Sequence, residues 1–167
     1  MINDEIKDKD EIKNIIRFKQ SSSVWKVGQD EIEILYNGCH GGWGISDKAV
    51  KLYNSKKLEI DPSWSPILDG SFSSLDEIER HDKILIQIYH ELGDKMNGRH
   101  SCIRVCAILK EYEKYYDIDE YDGWESVNID IAQYKYDTLK STMKDILIDD
   151  TISSDDKISK LTTFLNL

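Results

Sequence analysis

A chain of 167 residues is enough for one domain, burying about two-thirds of the surface it exposes when unfolded, so neither disulfide nor metal is needed to hold it. Twenty-two Lys and Arg against thirty-two Asp and Glu leave a formal charge of -10, which repels nucleic acid and anionic membrane and excludes a general DNA or RNA binder. No apolar run approaches the ~20 residues of a membrane span, the start MINDEIKDKDE lacks a secretion pattern, and three cysteines read as reduced thiols, so a cytoplasmic, unsecreted protein is expected.

The expected elements follow in chain order. Ile12, Ile15, Ile16 and Lys19 fall at helical spacing after Asp10, which predicts a short amphipathic arm over residues 1–20. Val24 to Val27 and Glu31 to Tyr36, separated by Gly28-Gln29-Asp30, read as a hairpin. In its second strand Ile32, Ile34 and Tyr36 share one face while Glu31, Glu33 and Leu35 share the other. The segment NGCHGGWGIS carries Gly38, Gly41, Gly42 and Gly44 within seven positions, and Ser46 then caps a short helix over Asp47 to Asn54. Residues 55–78 hold Pro62, Pro66 and Gly70 and read as a long connection anchored by Trp64.

The clearest helix runs from Asp82 to Met96 on the stripe Ile84, Leu85, Ile88, Leu92 and Met96, ended by Asn97-Gly98. SCIRVCAIL, from Ser101 to Leu109, is short and β-branched and reads as a central strand. Tyr115 to Tyr121 and Trp124 to Ile131 flank Asp122-Gly123 as a second hairpin. Leu139, Met143, Ile146 and Leu147, then Ile158, Leu161 and Leu165, form two helical stripes, and Ser153 to Asp156 opens the second with a capping box. The fold class expected is α+β: a small mixed or mainly antiparallel sheet, one long packed helix and a C-terminal helical extension. The divisions expected are an arm over 1–20, a core over 24–136 and a helical extension over 137–167.

Three segments, HGGWGISDKAVKLYN from His40, RHDKILIQIYHELGDKMNG from Arg80 and EYDGWESV from Glu120, resemble an uncharacterised family of small proteins from tailed bacteriophages and large DNA viruses. That family carries a glycine-glycine-aromatic segment, an Arg-x-Asp helix ending in Glu-Leu-Gly and Asn-Gly, and Glu-Tyr-Asp-Gly. The resemblance covers residues 34–130, with His40 in place of a tyrosine. It implies a viral accessory protein acting in the host cytoplasm or the virion, and supplies no reaction and no catalytic residue.

A glycine-rich loop entering a helix presents backbone N–H groups beside a partial positive charge, which suits a phosphate or carboxylate; Gly41, Gly42, Trp43 and the Ser46 hydroxyl are the candidates. The plain alternative is a tight turn capped by Ser46. Arg99 and Arg104 lie near in sequence, and Arg104 shares a strand face with Cys102 and Cys106, so it is expected to be partly buried against a carboxylate or a bound anion. Cys102 and Cys106 stand about 13 Å apart in a strand rising about 3.3 Å per residue, too far to share one zinc, so no metal and no cofactor are expected. His81 and His90 read as solvated, and Cys39-His40 as neighbours pointing opposite ways rather than a dyad. Asp117, Asp119, Glu120, Asp122 and Glu125 read as a solvated hairpin face, with a metal-dependent hydrolase as the remotest use.

The function expected from these residues is a non-enzymatic binding protein that captures a small anionic, nucleotide-like ligand through Gly41, Gly42, Trp43, Ser46, Arg99 and Arg104, and in a viral setting blunts a host defence signal. The alternative is a module docking on a host or virion protein through the acidic aromatic surface of Tyr121, Asp122 and Trp124. Direct nucleic-acid and membrane contacts are not expected, and self-association stays open.

Overall fold

The uninterrupted run Val105-Cys106-Ala107-Ile108 is buried at every position, as expected of a strand covered on both faces, and it forms the middle of a sheet. In the computed structural model, which describes residues 15–19 and 25–164, that sheet comprises β1 (Arg17–Phe18), β2 (Glu31–Asn37) and β3 (Ile103–Leu109), ordered β1-β3-β2. Both pairings are antiparallel, with Leu35 opposite Val105 and Tyr36 opposite Arg104. The fold is α+β.

The expected hairpin is corrected, and of the expected arm only the end at Arg17 and Phe18 differs among the described residues. Glu31 to Tyr36 does not form a hairpin with the segment before it: Trp25 to Gly28 are irregular, Val24 lies outside the described residues, and β2 takes β3 as its partner along its whole length. A long apolar strand offers more burial than a four-residue neighbour joined by a favourable turn, and burial decides. Of the amphipathic arm, residues 1–14 lie outside the described residues, while Arg17 and Phe18 pair with Ala107 and Cys106 as a strand. Leu35, which shares its strand face with Glu31 and Glu33, is fully buried. It packs with Ile103 and Val105 into the core formed with the helices, while Ile34 and Cys106 bury the opposite face.

Ser46 caps α1 (Asp47–Ile60), its Oγ accepting from the Ala49 N–H. The helix is longer than the sequence predicts because Ser55 to Ile60 contain no helix breaker, and because Lys57 reaches Asp82 at 2.9 Å. The long connection therefore shrinks, and it contains a further helical turn, α2 (Phe72–Leu75), that buries Leu75. Trp64 does anchor it, edge-on to Tyr53. Asp82 caps α3 (Lys83–Leu92) by accepting from the Ile84 and Leu85 N–H groups, both at 2.9 Å. The α-helix ends before Met96 because Gly93 adopts φ 54°, and a tighter 3-10 turn carries the chain from Gly93 to a buried Met96.

The second hairpin, β4 (Tyr116–Tyr121) and β5 (Trp124–Ile129), turns at Asp122 and Gly123 with φ 50° and 82°, the positive pair that Asp-Gly tolerates. The chain divides after Ile129 into two compact units. The second contains α4 (Ile131–Ile148), capped by Asp130, and α5 (Ser154–Phe164), where Ser153 Oγ accepts from the Asp156 N–H and donates to its carboxylate. Among the described residues no helix is long and apolar enough to cross a membrane.

Candidate functional site

β5 alternates with period two, so Glu125 shares a face with Val127 and Ile129 and is carried into the interior, 2% exposed. This corrects the reading of the hairpin acids as a uniformly solvated face. The buried carboxylate accepts from both terminal nitrogens of Arg80, at 2.7 and 2.9 Å, and from the Asn37 N–H at 2.6 Å. The Arg80 guanidinium carbon in turn lies over the Trp43 ring, 3.7 Å from its centroid. Asn37, fully buried, donates to the Cys39 and Gly123 carbonyls and accepts from the Cys102 N–H. The glycine loop, the Arg-x-Asp segment and the Asp-Gly hairpin thus meet at one point, through Trp43, Arg80 and Glu125.

Part of the glycine-rich loop's hydrogen-bonding capacity is used by the chain itself. Ile45 N–H donates to Gly70, Ser46 N–H to Met96, and the Gly44 carbonyl accepts from Gly98 N–H and Ser101 Oγ. A side chain at Gly41 would overlap the His100 carbonyl, which explains glycine there. The Ser46 hydroxyl accepts from Ala49 and donates to the Lys95 carbonyl at 2.7 Å, so it serves the helix cap. What stays open is a hollow of about 360 Å³ lined by Gly41, Gly42, Trp43 and Arg99, with His100 and the carboxylates of Asp47 and Asp69 on its walls. Trp43 is 5% exposed, and its indole N–H has no hydrogen-bond partner among the described residues. Arg99 is exposed and makes no ion pair among them.

Arg104 does not join this group. It lines a different hollow, of about 640 Å³, with Lys19, Tyr89, Asp94 and Cys102. The expectation of partial burial against a carboxylate is also corrected: although Cys106 on the same face is fully buried, Arg104 near the start of β3 is exposed. The neighbouring Cys102 thiol, and to a lesser degree Tyr36, holds the guanidinium above its ordinary pKa against the opposing effect of burial.

His81, expected in solvent, is largely enclosed. Its Nδ1 lies 2.7 Å from the Tyr116 hydroxyl and its Nε2 lies 3.0 and 3.2 Å from Glu79 and Glu113. Burial pushes the Tyr116 hydroxyl up to about 12. These groups, with Arg80, Glu125 and Trp43, line a cleft of about 600 Å³. His90 is exposed and meets Glu33 at 2.8 Å. At the hairpin tip Tyr121 is 82% and Trp124 41% exposed, with the His40 ring 5.6 Å from Trp124 and His40 Nδ1 3.2 Å from the Asp122 carbonyl. Cys39 turns instead to the His100 carbonyl, so the two adjacent side chains serve different partners. Among the described residues no group of three or more His, Cys, Asp or Glu side chains is arranged to hold a metal ion.

No family model matches the chain, and the comparisons with curated proteins and with solved structures found no match.

Proposed function

We propose that the protein is a non-enzymatic accessory binding protein that captures a small anionic, nucleotide-like ligand in the hollow beside the glycine-rich loop. The observation that carries this reading is that Trp43, whose buried indole N–H has no acceptor among the described residues, lines a hollow that also presents Arg99. A buried donor left unpaired costs about 1–3 kcal/mol, and an oxyanion seated there supplies the missing acceptor beside a guanidinium with no ion-pair partner among the described residues. Asp47 and Asp69, which repel a bare phosphate, accept from hydroxyl groups such as those of a ribose. Gly41 and Gly42 allow close approach, while Ser46 and Arg104 have no part in this site. The resemblance to viral proteins supports a role in a phage or large DNA virus, with the ligand a host defence signal.

A panel of nucleotides tested by thermal shift examines the proposal. A binding ligand raises the melting temperature in proportion to the logarithm of its concentration, and Arg99→Ala removes the rise. Absence of any shift across the panel rejects it.

A second reading, docking on a host or virion protein, is favoured by one observation: Tyr121 and Trp124 hold large aromatic surfaces in solvent at the tip of an acidic hairpin. It requires Trp124→Ala to lose a partner that the unaltered chain recovers from infected cells.

A further inference from the structure

The arginines of this chain differ in what they touch. Arg17 is joined to Glu31 and Arg80 to Glu125, as expected where acids outnumber bases thirty-two to twenty-two. Arg104 instead has a thiol and a phenol beside it, those of Cys102 in the same hollow and Tyr36 opposite it in the sheet, and among the described residues it has no ion pair with any carboxylate. Its position is nonetheless fixed. Tyr36 stands opposite it in the β2–β3 register, the Trp124 ring centroid lies 6.0 Å from the guanidinium carbon, and a side chain at Gly38 would collide with Nε and Cδ of Arg104. Gly38 therefore leaves room for the arginine to lie against the backbone where β2 ends. A guanidinium held in place, exposed, and not paired with an acid among the described residues is organised to receive an outside one.

A second cation lines the same hollow. Lys19, just beyond β1, sets its ammonium 5.3 Å from the centroid of the Tyr89 ring, and it too lacks an ion pair among the described residues. Asp94 is the carboxylate on the wall. At about 640 Å³ the hollow falls in the range of small-molecule sites. We propose that it is a second oxyanion site, separate from the glycine-loop hollow, which takes the phosphate of a phosphate monoester between Arg104 and Lys19.

Cys102 provides the readout, because its thiol lines this hollow while Cys39 faces His100 elsewhere and Cys106 is buried. The full chain is treated with iodoacetamide in the presence of adenosine monophosphate or inorganic phosphate, and alkylation of each cysteine is followed by peptide mass spectrometry. Alkylation of Cys102 is expected to slow about tenfold once the ligand stands at about ten times its dissociation constant, with Cys39 unchanged. Equal protection by both probes assigns binding to phosphate alone, and stronger protection by the nucleotide adds a contribution from the aromatic walls; either outcome supports the site. Arg104→Gln and Lys19→Ala are expected to abolish and to weaken the protection, with unchanged circular dichroism, whereas Arg99→Ala keeps it. The proposal is overturned if neither probe protects Cys102 in the unaltered chain, or if protection survives Arg104→Gln. Since Arg99→Ala acts only on the glycine-loop reading, failure of one site is distinguishable from failure of the other.

Discussion

Arg80 and Glu125 form a two-pronged ion pair, at 2.7 and 2.9 Å, between the segment that precedes α3 and the start of strand β5. The pair closes the structure at its most constrained point, because the same carboxylate also takes the Asn37 N–H and the same guanidinium covers Trp43. Desolvating two charges is costly, and here the geometry offsets that cost with three charge-assisted hydrogen bonds to one carboxylate.

Removing one partner leaves the other charge buried and alone. Glu125→Ala and Arg80→Ala are each expected to lower unfolding free energy by about 3–5 kcal/mol in urea titrations. The double variant is expected to lose clearly less than the sum of the two. Additive losses would show that the two side chains act separately.

Gly41→Ala places a methyl group on the His100 carbonyl, and Gly123→Ala combines φ 82° with overlap of the His40 carbonyl. Both are expected to destabilise by about 1–3 kcal/mol, because each new atom meets backbone rather than a side chain that can swing away. Gly42→Ala is a useful contrast: its φ of 80° carries strain, but nothing crowds the added carbon, so a smaller loss in melting temperature is expected.

Ser46→Ala separates capping from ligand binding. The hydroxyl caps α1 and bonds the Lys95 carbonyl, so its loss is expected to cost about 0.5–2 kcal/mol of stability. Nucleotide-induced stabilisation, measured as the shift relative to the variant's own melting temperature, is expected to persist. Loss of that shift would return Ser46 to the site.

Alkaline pH is expected to weaken the fold. Burial pushes Tyr53 and Tyr116 from 10.0, and Cys106 from 9.0, up to about 12. Each group keeps its proton in the folded chain at pH values where the unfolded chain has released it. Stability is therefore fully present below the unfolded values and falls as pH rises from about 9 towards 12. Urea midpoints measured across this range should decline, and Tyr116→Phe should make the decline shallower. A flat profile would mean that these groups titrate alike folded and unfolded.

The elements that hydrophobic period and turn chemistry dictate were legible in the sequence: the middle strand around Val105 and Cys106, the Asp-Gly turn at Asp122, the Asp82 helix and the Ser46 and Ser153 caps. Pairing across the chain was not. Whether Glu31 to Asn37 joins the segment before it or one seventy residues later depends on total burial, to which a local turn is a poor guide. The candidate site divides in the same way. The glycine loop was visible as a cluster, and the structure brings Gly41, Gly42, Trp43 and Arg99 around one hollow while sending Arg104 to another. The enclosed pair of Arg80 and Glu125 was missed, although a signal existed: Glu125 falls on the same strand face as Val127 and Ile129, and an acid on an apolar face needs a cation. Nothing in the sequence marked His81 as enclosed, since two of its three partners, Glu113 and Tyr116, lie more than thirty residues away.

The Trp43 indole N–H is the atom to watch. Among the four tryptophans, Trp25 donates to Glu33 and Trp64 to Asn54, while Trp43 has no acceptor among the described residues. In a nitrogen-proton correlation spectrum titrated with nucleotides, its indole resonance is expected to move downfield as it gains an acceptor, and to stay in place in Arg99→Ala. An indole resonance that stays fixed through the whole nucleotide series would contradict ligand capture at the glycine loop.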